Sequence, residues 1–211
     1  MQMDREKSSS FEASLARRLK SFTASAIILD LDDTVYWENR FLRSALGEVR
    51  SVFKNFAGKQ TANKLVSAIW DLYSAGDTKN MFQSALTGSG LPADKALTII
   101  EILEHHTVPG GLAIRDWLQI ALPELSVPVG ILTNGNPAIQ SNKLRNLNPG
   151  RLVENLPTVY ANQVMPKPSP LGIFVLAELW SIEPTRILLV GDSVADAHAA
   201  KAGGCQFLRS V

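Results

Sequence analysis

Five consecutive residues, Asp30-Leu31-Asp32-Asp33-Thr34, place two carboxylates two positions apart directly after a short apolar run. In an extended chain residues i and i+2 point the same way, so Asp30 and Asp32 crowd like charge. Such crowding is costly unless a cation or a proton sits between the two groups. The chemistry that suits it is metal-assisted phosphoryl transfer; the plainer alternative is a solvated acidic turn. Three later segments carry complementary groups. Thr133-Asn134-Gly135 offers a hydroxyl and an Asn-Gly turn whose donors suit a phosphate oxygen, although such a turn is also an ordinary loop. Lys167 lies in Met165-Pro166-Lys167-Pro168-Ser169-Pro170, where prolines stiffen the loop and Ser169-Pro170 can open a helix. A lysine held there is a phosphate counter-charge or a solvent lysine. Gly191-Asp192-Ser193-Val194-Ala195-Asp196 supplies a second acidic pair, spaced by four, one turn apart if a helix begins promptly.

The elements that must position these groups are short apolar runs, each stopping at a polar or glycine-containing turn, as strands of a buried parallel sheet do. They cover residues 26–29, 127–132, 186–190 and 205–208, with a weaker fifth at 157–161. Helical patterns at 112–122, 138–147, 170–180 and 194–202 separate them. Strands alternating with helices predict an α/β domain, a doubly wound parallel five-stranded sheet. Asp30, Thr133 and Asp192 then fall at the C-terminal ends of strands, where open α/β sheets bind ligands. A strand-end position also suggests that Asp30 stands outside the packed core.

Residues 38–107 show helical periodicity and no convincing strand; Ala45, Val49, Val52 and Phe56, then Leu65, Ile69 and Leu72, mark amphipathic helices. Gly76, Gly88, Gly90 and Pro92 break them, and Pro109-Gly110-Gly111 leads back to the core. The expected organisation is a polar, frayed start with an amphipathic helix in 1–25, a core from 26–37 and 108–211, and an all-helical insertion at 38–107. Phe11, Leu15, Leu19 and Phe22 would form the packed stripe of the first helix, with Arg17, Arg18 and Lys20 on a solvated face.

The composition suits a folded small-molecule enzyme. The 211 residues suffice for one core domain and a modest insertion without an oligomer to complete the core. Lys plus Arg number 21 against 20 Asp plus Glu, and a net charge of +1 supplies no field that favours nucleic acid or an acidic membrane. The single cysteine, Cys205, is too few for a disulfide or a Cys-based metal site and reads as a buried strand residue. The charged N-terminus lacks a signal-like apolar run, and no later segment reaches membrane-spanning length, so the reading is cytoplasmic.

The order Asp-x-Asp-x-Thr, Thr-Asn-Gly, Lys-Pro, Gly-Asp-x-x-x-Asp resembles the four motifs of the haloacid dehalogenase superfamily, and it runs from Asp30 to Asp196 with a helical cap after the first. The resemblance implies a Rossmann-like core and a phosphatase acting on a small phosphorylated metabolite. Asp30 would be the nucleophile that forms an aspartyl phosphate, and Asp32 the acid that protonates the leaving oxygen and then activates water. Magnesium would be held by the Asp30 carboxylate, the Asp32 backbone carbonyl and Asp192. Thr133 and Lys167 would bind the phosphoryl group with Asn134 nearby, and Asp196 would support the metal or Lys167. Asp32 separates branches of the superfamily, since the eponymous dehalogenases lack an acid there. Transport ATPases are excluded by the missing membrane segments and the missing lysine after the nucleophile, receiver domains by motif order. A phosphomutase, or a non-catalytic binding protein that retains the fold, are the rival readings.

Asp33 stands where many members carry glycine and is expected to face solvent, and the chain ends at Val211 where many relatives continue. In the cap, Lys79 and Asn80 are candidate substrate contacts by their distance from Asp30. Tyr36 resembles a branch that includes pyrimidine nucleotidases, and His105 and His106 read as residues at the end of the cap.

Overall fold

The computed structural model describes residues 2–148, 152, 153 and 155–211. Its centre is strand β1 (Ala26–Leu29), whose four side chains are all buried, as a strand packed on both faces requires. Strands β3 (Val129–Thr133) and β6 (Ile187–Gly191) flank it, and β5 (Thr158–Tyr160) and β7 (Gln206–Arg209) extend the sheet outwards. The order is β5-β3-β1-β6-β7, with every neighbouring pair parallel. The chain therefore builds outwards from β1 on one side, returns, and builds on the other. Leu29 pairs with Ile131 of β3 and with Val190 of β6, so the ends of three strands come together at this reversal of strand order. That crevice is the binding position of an open α/β sheet.

Helices α7 (Pro137–Arg145), α8 (Leu171–Trp180) and α9 (Val194–Gly203) follow β3, β5 and β6. Ile28, Leu132, Ile173, Leu176, Leu189, Ala199 and Ala200 form one buried cluster joining the sheet to α8 and α9. The α/β architecture with five parallel strands agrees with the sequence reading. One element differs: residues 112–113 form a short strand, β2 (Leu112–Ala113), paired in parallel with β4 (Leu147–Asn148). The helix expected from 112 begins only at α6 (Asp116–Ala121). A two-residue strand carries no period of its own, so the apolar pattern of the following helix absorbs it. Cys205 also differs, lying half-buried just ahead of β7.

Helix α1 spans Gln2–Ser21 and so includes the start expected to fray. Leu15, Ala16 and Leu19 are buried while Phe11 is exposed. The inward position one residue on is taken by Glu12, a charge that a hydrophobic stripe does not foresee.

The chain divides into two compact units, residues 1–38 with 111–211, and residues 39–110. The second holds most of α2 (Glu38–Ala57) and all of α3 (Lys59–Ser74), α4 (Met81–Gly88) and α5 (Ala96–His105). Its buried stripe on α2 runs Phe41, Leu42, Ala45, Leu46, Val49, Phe53. Val52 and Phe56, expected in that stripe, are exposed because steps of four from Ala45 lead to Phe53 and leave them on the neighbouring face. His106 is buried, its Nε2 2.7 Å from Ser44 Oγ and its Nδ1 2.8 Å from Glu48 Oε2, and so ties the end of α5 to α2. Among the described residues no helix is long and apolar enough to cross a membrane.

Candidate active site

Asp30 follows β1 directly, and its backbone N–H donates to Val190 O at 2.8 Å, which fixes the loop to β6. Contrary to the strand-end expectation, Asp30 is buried, in a polar cluster beneath the sheet's C-terminal edge. Lys167 Nζ donates to its Oδ1 at 2.5 Å and to Leu132 O at 3.0 Å, and lies 2.6 Å from Asp196 Oδ1. One buried ammonium thus serves two carboxylates. Burial pushes Asp30 up from 3.8 to about 8, with Asp196 and Asp32 adding to the rise and Lys167 opposing it. Burial also works against the charge on Lys167, but Asp30 and Asp196 outweigh it and raise its pKa.

Asp196 caps α9 reciprocally with Ser193: its Oδ2 accepts from Ser193 N at 3.0 Å and Oγ at 2.6 Å, while its own N–H donates to Ser193 Oγ at 3.2 Å. The capping box holds the carboxylate over Gly191, where a Cβ would lie 2.5 Å from Asp196 Cγ. Only glycine allows that approach. Asp192 is half-buried, and burial, then Asp196 and Asp33, push it up to about 6.

One carboxylate oxygen from each of Asp30, Asp192 and Asp196 lies within 4.8 Å of the others. An all-oxygen set in which two acids are pushed towards neutrality suits a hard divalent cation such as magnesium. Asp196 is already engaged by Lys167 and Ser193, leaving Asp30 and Asp192 as the side chains that would hold the ion.

The raised pKa of Asp30 has a measurable sign. Unfolded, the acid ionises near 3.8; folded, it keeps its proton until about 8. The native state binds the extra proton between these values, so this contribution to stability is present at low pH and lost as pH rises through about 8. In chelator, the melting temperature of the protein relative to Asp30→Asn is expected to fall as pH rises from about 5 to about 9. Added magnesium should raise the wild-type midpoint more at about pH 8 than at about pH 6, because the ion binds the ionised carboxylate. A difference that stays flat across this range would contradict a raised Asp30.

Asp32 is held quite differently. Its Oδ1 accepts from Tyr36 Oη at 2.5 Å, its Oδ2 from Gln140 Nε2 at 2.8 Å, and both oxygens from Lys143 Nζ at 2.9 Å. Burial alone would raise its pKa, but Lys143 and these donors outweigh it and hold the carboxyl below its usual value. Lys143 also donates to Glu38 Oε1 at 2.7 Å. Tyr36 is wholly buried, and burial and then Asp32 keep its phenol protonated and donating. Asp33 is not free in solvent: its Oδ1 accepts from Glu38 N at 2.9 Å, and its φ of 55° is left-handed.

Thr133 is buried at the end of β3, its hydroxyl accepting from Gln140 Nε2 at 2.6 Å. The Asn134 amide is used in holding Lys167, its Nδ2 donating to Lys167 O at 2.9 Å and its Oδ1 accepting from Lys167 N at 2.8 Å. It positions the lysine loop. Asp30, Asp32, Thr133, Asn134, Lys167, Asp192 and Asp196 therefore all lie in the first unit around the strand ends. Lys79 and Asn80 belong to the second unit, exposed in the turn before α4, where Asn80 is the left-handed N-cap residue.

Gln140 and Lys143 are the residues that sequence reasoning missed. They sit three apart on α7, and the buried positions of that helix are Gln140, Asn142 and Lys143. A polar helix face reads as the solvent side; here it turns inwards because the Asp32 carboxylate lies beneath it. The only signal was a lysine and a glutamine at helical spacing soon after Thr133-Asn134-Gly135.

A parallel α/β sheet with carboxylates, a hydroxyl and a lysine gathered at its central strand ends is the frame of a hydrolase of phosphate or related groups. The chain belongs to the haloacid dehalogenase-like hydrolases, whose family model matches residues 24–204. It is 36% identical over 86 residues to a phosphoglycolate phosphatase of Neisseria gonorrhoeae, a match covering 40% of this chain and 35% of that one. The chain thus spans about a third of the length of such curated relatives. Among solved structures, the magnesium-bound HAD-hydrolase YfnB of Bacillus subtilis superposes with a TM-score of 0.61 at 19% identity over 88% of this chain and 86% of that one. A 2-haloacid dehalogenase of Pseudomonas syringae gives 0.55 at 20% identity over 87% and 85%. At these identities the likeness establishes the fold, which hosts more than one chemistry.

Proposed function

We propose that the protein is a magnesium-dependent phosphatase of small phosphorylated metabolites that works through an aspartyl phosphate on Asp30. The observation that carries this reading is the buried Asp30 carboxylate, 2.5 Å from Lys167 Nζ and beside Asp192, at the C-terminal end of the central strand. An Asp30 oxygen attacks phosphorus, and the bond to the ester oxygen breaks. Lys167, held by Asn134, and the Thr133 hydroxyl orient the phosphoryl oxygens and offset their charge. Asp32, held ionised by its donors, must first take a proton from solvent; it gives that proton to the departing alkoxide and later takes one from the water that cleaves the acyl phosphate. The carboxylate state in which Lys143, Gln140 and Tyr36 hold Asp32 is the one needed for the second step. Asp30, Asp192 and the Asp32 carbonyl would hold magnesium, which would supply further neutralisation of the phosphate charge.

The acid at position 32 supports the phosphatase over a dehalogenase, because an alkoxide leaving group needs a proton and a halide does not. The named relatives make 2-phosphoglycolate the first compound to test. Phosphate release should be measured from it, from a panel of other phosphorylated metabolites and from an aryl phosphate, with magnesium and with chelator. Release that needs magnesium is expected; no release from any compound would reject the phosphatase in favour of a mutase or a binding role.

A further inference from the structure

We propose that helix α1 braces the nucleophile loop, with Glu12 and Arg115 as positioning residues for the reaction. Helix α1 precedes residues 24–204, the part matched to the family. Among its described side chains the buried charge is Glu12, which meets the Arg115 guanidinium, the two side chains being 7% and 1% exposed. Arg115 Nε and Nη2 donate to Glu12 Oε1 at 3.1 and 2.6 Å. The other carboxylate oxygen, Oε2, accepts from Trp117 N at 3.1 Å, satisfying an N–H that the first turn of α6 leaves without a helical partner. The remaining arm of the fork points at the active-site loop: Arg115 Nη1 donates to Asp33 O at 2.7 Å, and the guanidinium lies 4.2 Å from the Trp37 ring centroid. Arg115 N–H also donates to Val35 O at 2.9 Å.

These contacts converge on a loop that needs holding. Asp33 adopts a left-handed conformation, φ 55°, which is unfavourable for a residue with a Cβ, and it directly follows the acid Asp32. A side chain that grips its carbonyl sets the plane of the Asp33–Thr34 peptide and, with it, the direction in which the chain leaves Asp33, one residue after the acid. The planar fork of arginine serves both ends of this link at once, and a lysine could not. Without Glu12 the guanidinium would be a buried charge lacking its counterion, free to turn towards solvent and release the Asp33 carbonyl.

The catalytic half of this inference rests on the phosphatase reading; the structural half does not, and two readouts separate them. In the full chain, Glu12→Gln and Arg115→Lys should be compared with Leu15→Ala, which weakens the packing of α1 without touching the brace. Hydrogen exchange of the segment 30–37 is expected to quicken in Glu12→Gln and Arg115→Lys and to match wild type in Leu15→Ala. Turnover per folded molecule should fall by about 10- to 100-fold in the first two, in kcat with KM little changed, because the loop and not the substrate is displaced. Leu15→Ala should lower the melting temperature with kcat retained. Wild-type kcat per folded molecule in Glu12→Gln, or unchanged exchange of 30–37, would overturn the brace. If the wild type releases no phosphate at all, the phosphatase reading fails and the exchange measurement alone decides.

Discussion

Asp30→Asn is expected to abolish phosphate release, by about 10⁴-fold or more, and to leave a folded protein. An amide is too weak a nucleophile to form the acyl phosphate, and the neighbouring carboxylates are engaged: Asp196 by Lys167 and Ser193, Asp32 by Lys143, Gln140 and Tyr36, while Asp192 is the one that would hold the cation. The fold should survive because Lys167 keeps Asp196 at 2.6 Å and Leu132 O at 3.0 Å when the Asp30 charge is removed. The substitution also removes a carboxylate that burial already pushes towards neutrality, so little stability is lost. Phosphate release and a thermal melt on the same sample check both halves. Turnover within a factor of ten of wild type would remove Asp30 as the nucleophile.

The second large effect is expected at Lys143. Lys143→Met withdraws the one ammonium shared by Asp32 and Glu38, whose side chains are 23% and 30% exposed. Leaving buried carboxylates without their cation costs about 3–5 kcal/mol, and the partial contact with water places the loss near about 3. Turnover should fall with it, by about 10²-fold, since Asp32 loses the contact that holds both its oxygens. Urea denaturation measures the first and steady-state kinetics on the folded protein the second. A double-mutant cycle tells whether Lys143 works through Asp32: in an Asp32→Asn background, Lys143→Met should change kcat by less than about threefold. Independent, multiplying effects would show that the lysine acts elsewhere.

The parallel sheet and the three charged or polar strand ends, Asp30, Thr133 and Asp192, were legible because each rests on local information. A strand buried on both faces must be continuously apolar, and it must stop where the chain meets water or ligand; 26–29 followed by Asp30, and 186–190 followed by Gly191-Asp192, both read that way. Boundaries shifted by one or two residues, as for β3, which ends at Thr133, because ladder hydrogen bonds and not side-chain type set the last paired residue. The β2–β4 pair escaped notice because its partners, Leu112 and Leu147, are 35 positions apart and each strand is too short to show alternation.

Residue types and their order thus decided the fold class and the principal reacting groups of the candidate site, since both follow from which side chains tolerate burial and which carry charge. The supporting contacts belong to the tertiary structure. Whether Lys143 and Gln140 face water or Asp32, whether Asn134 meets a ligand or the backbone of Lys167, and whether Glu12 is a surface acid or the counterion of Arg115 all depend on what lies across the space from them. Glu12 and Arg115 are 103 positions apart, and Lys143 and Asp32 are 111. A charge is buried only where its partner waits, and that condition is met by packing between distant segments that no local pattern records.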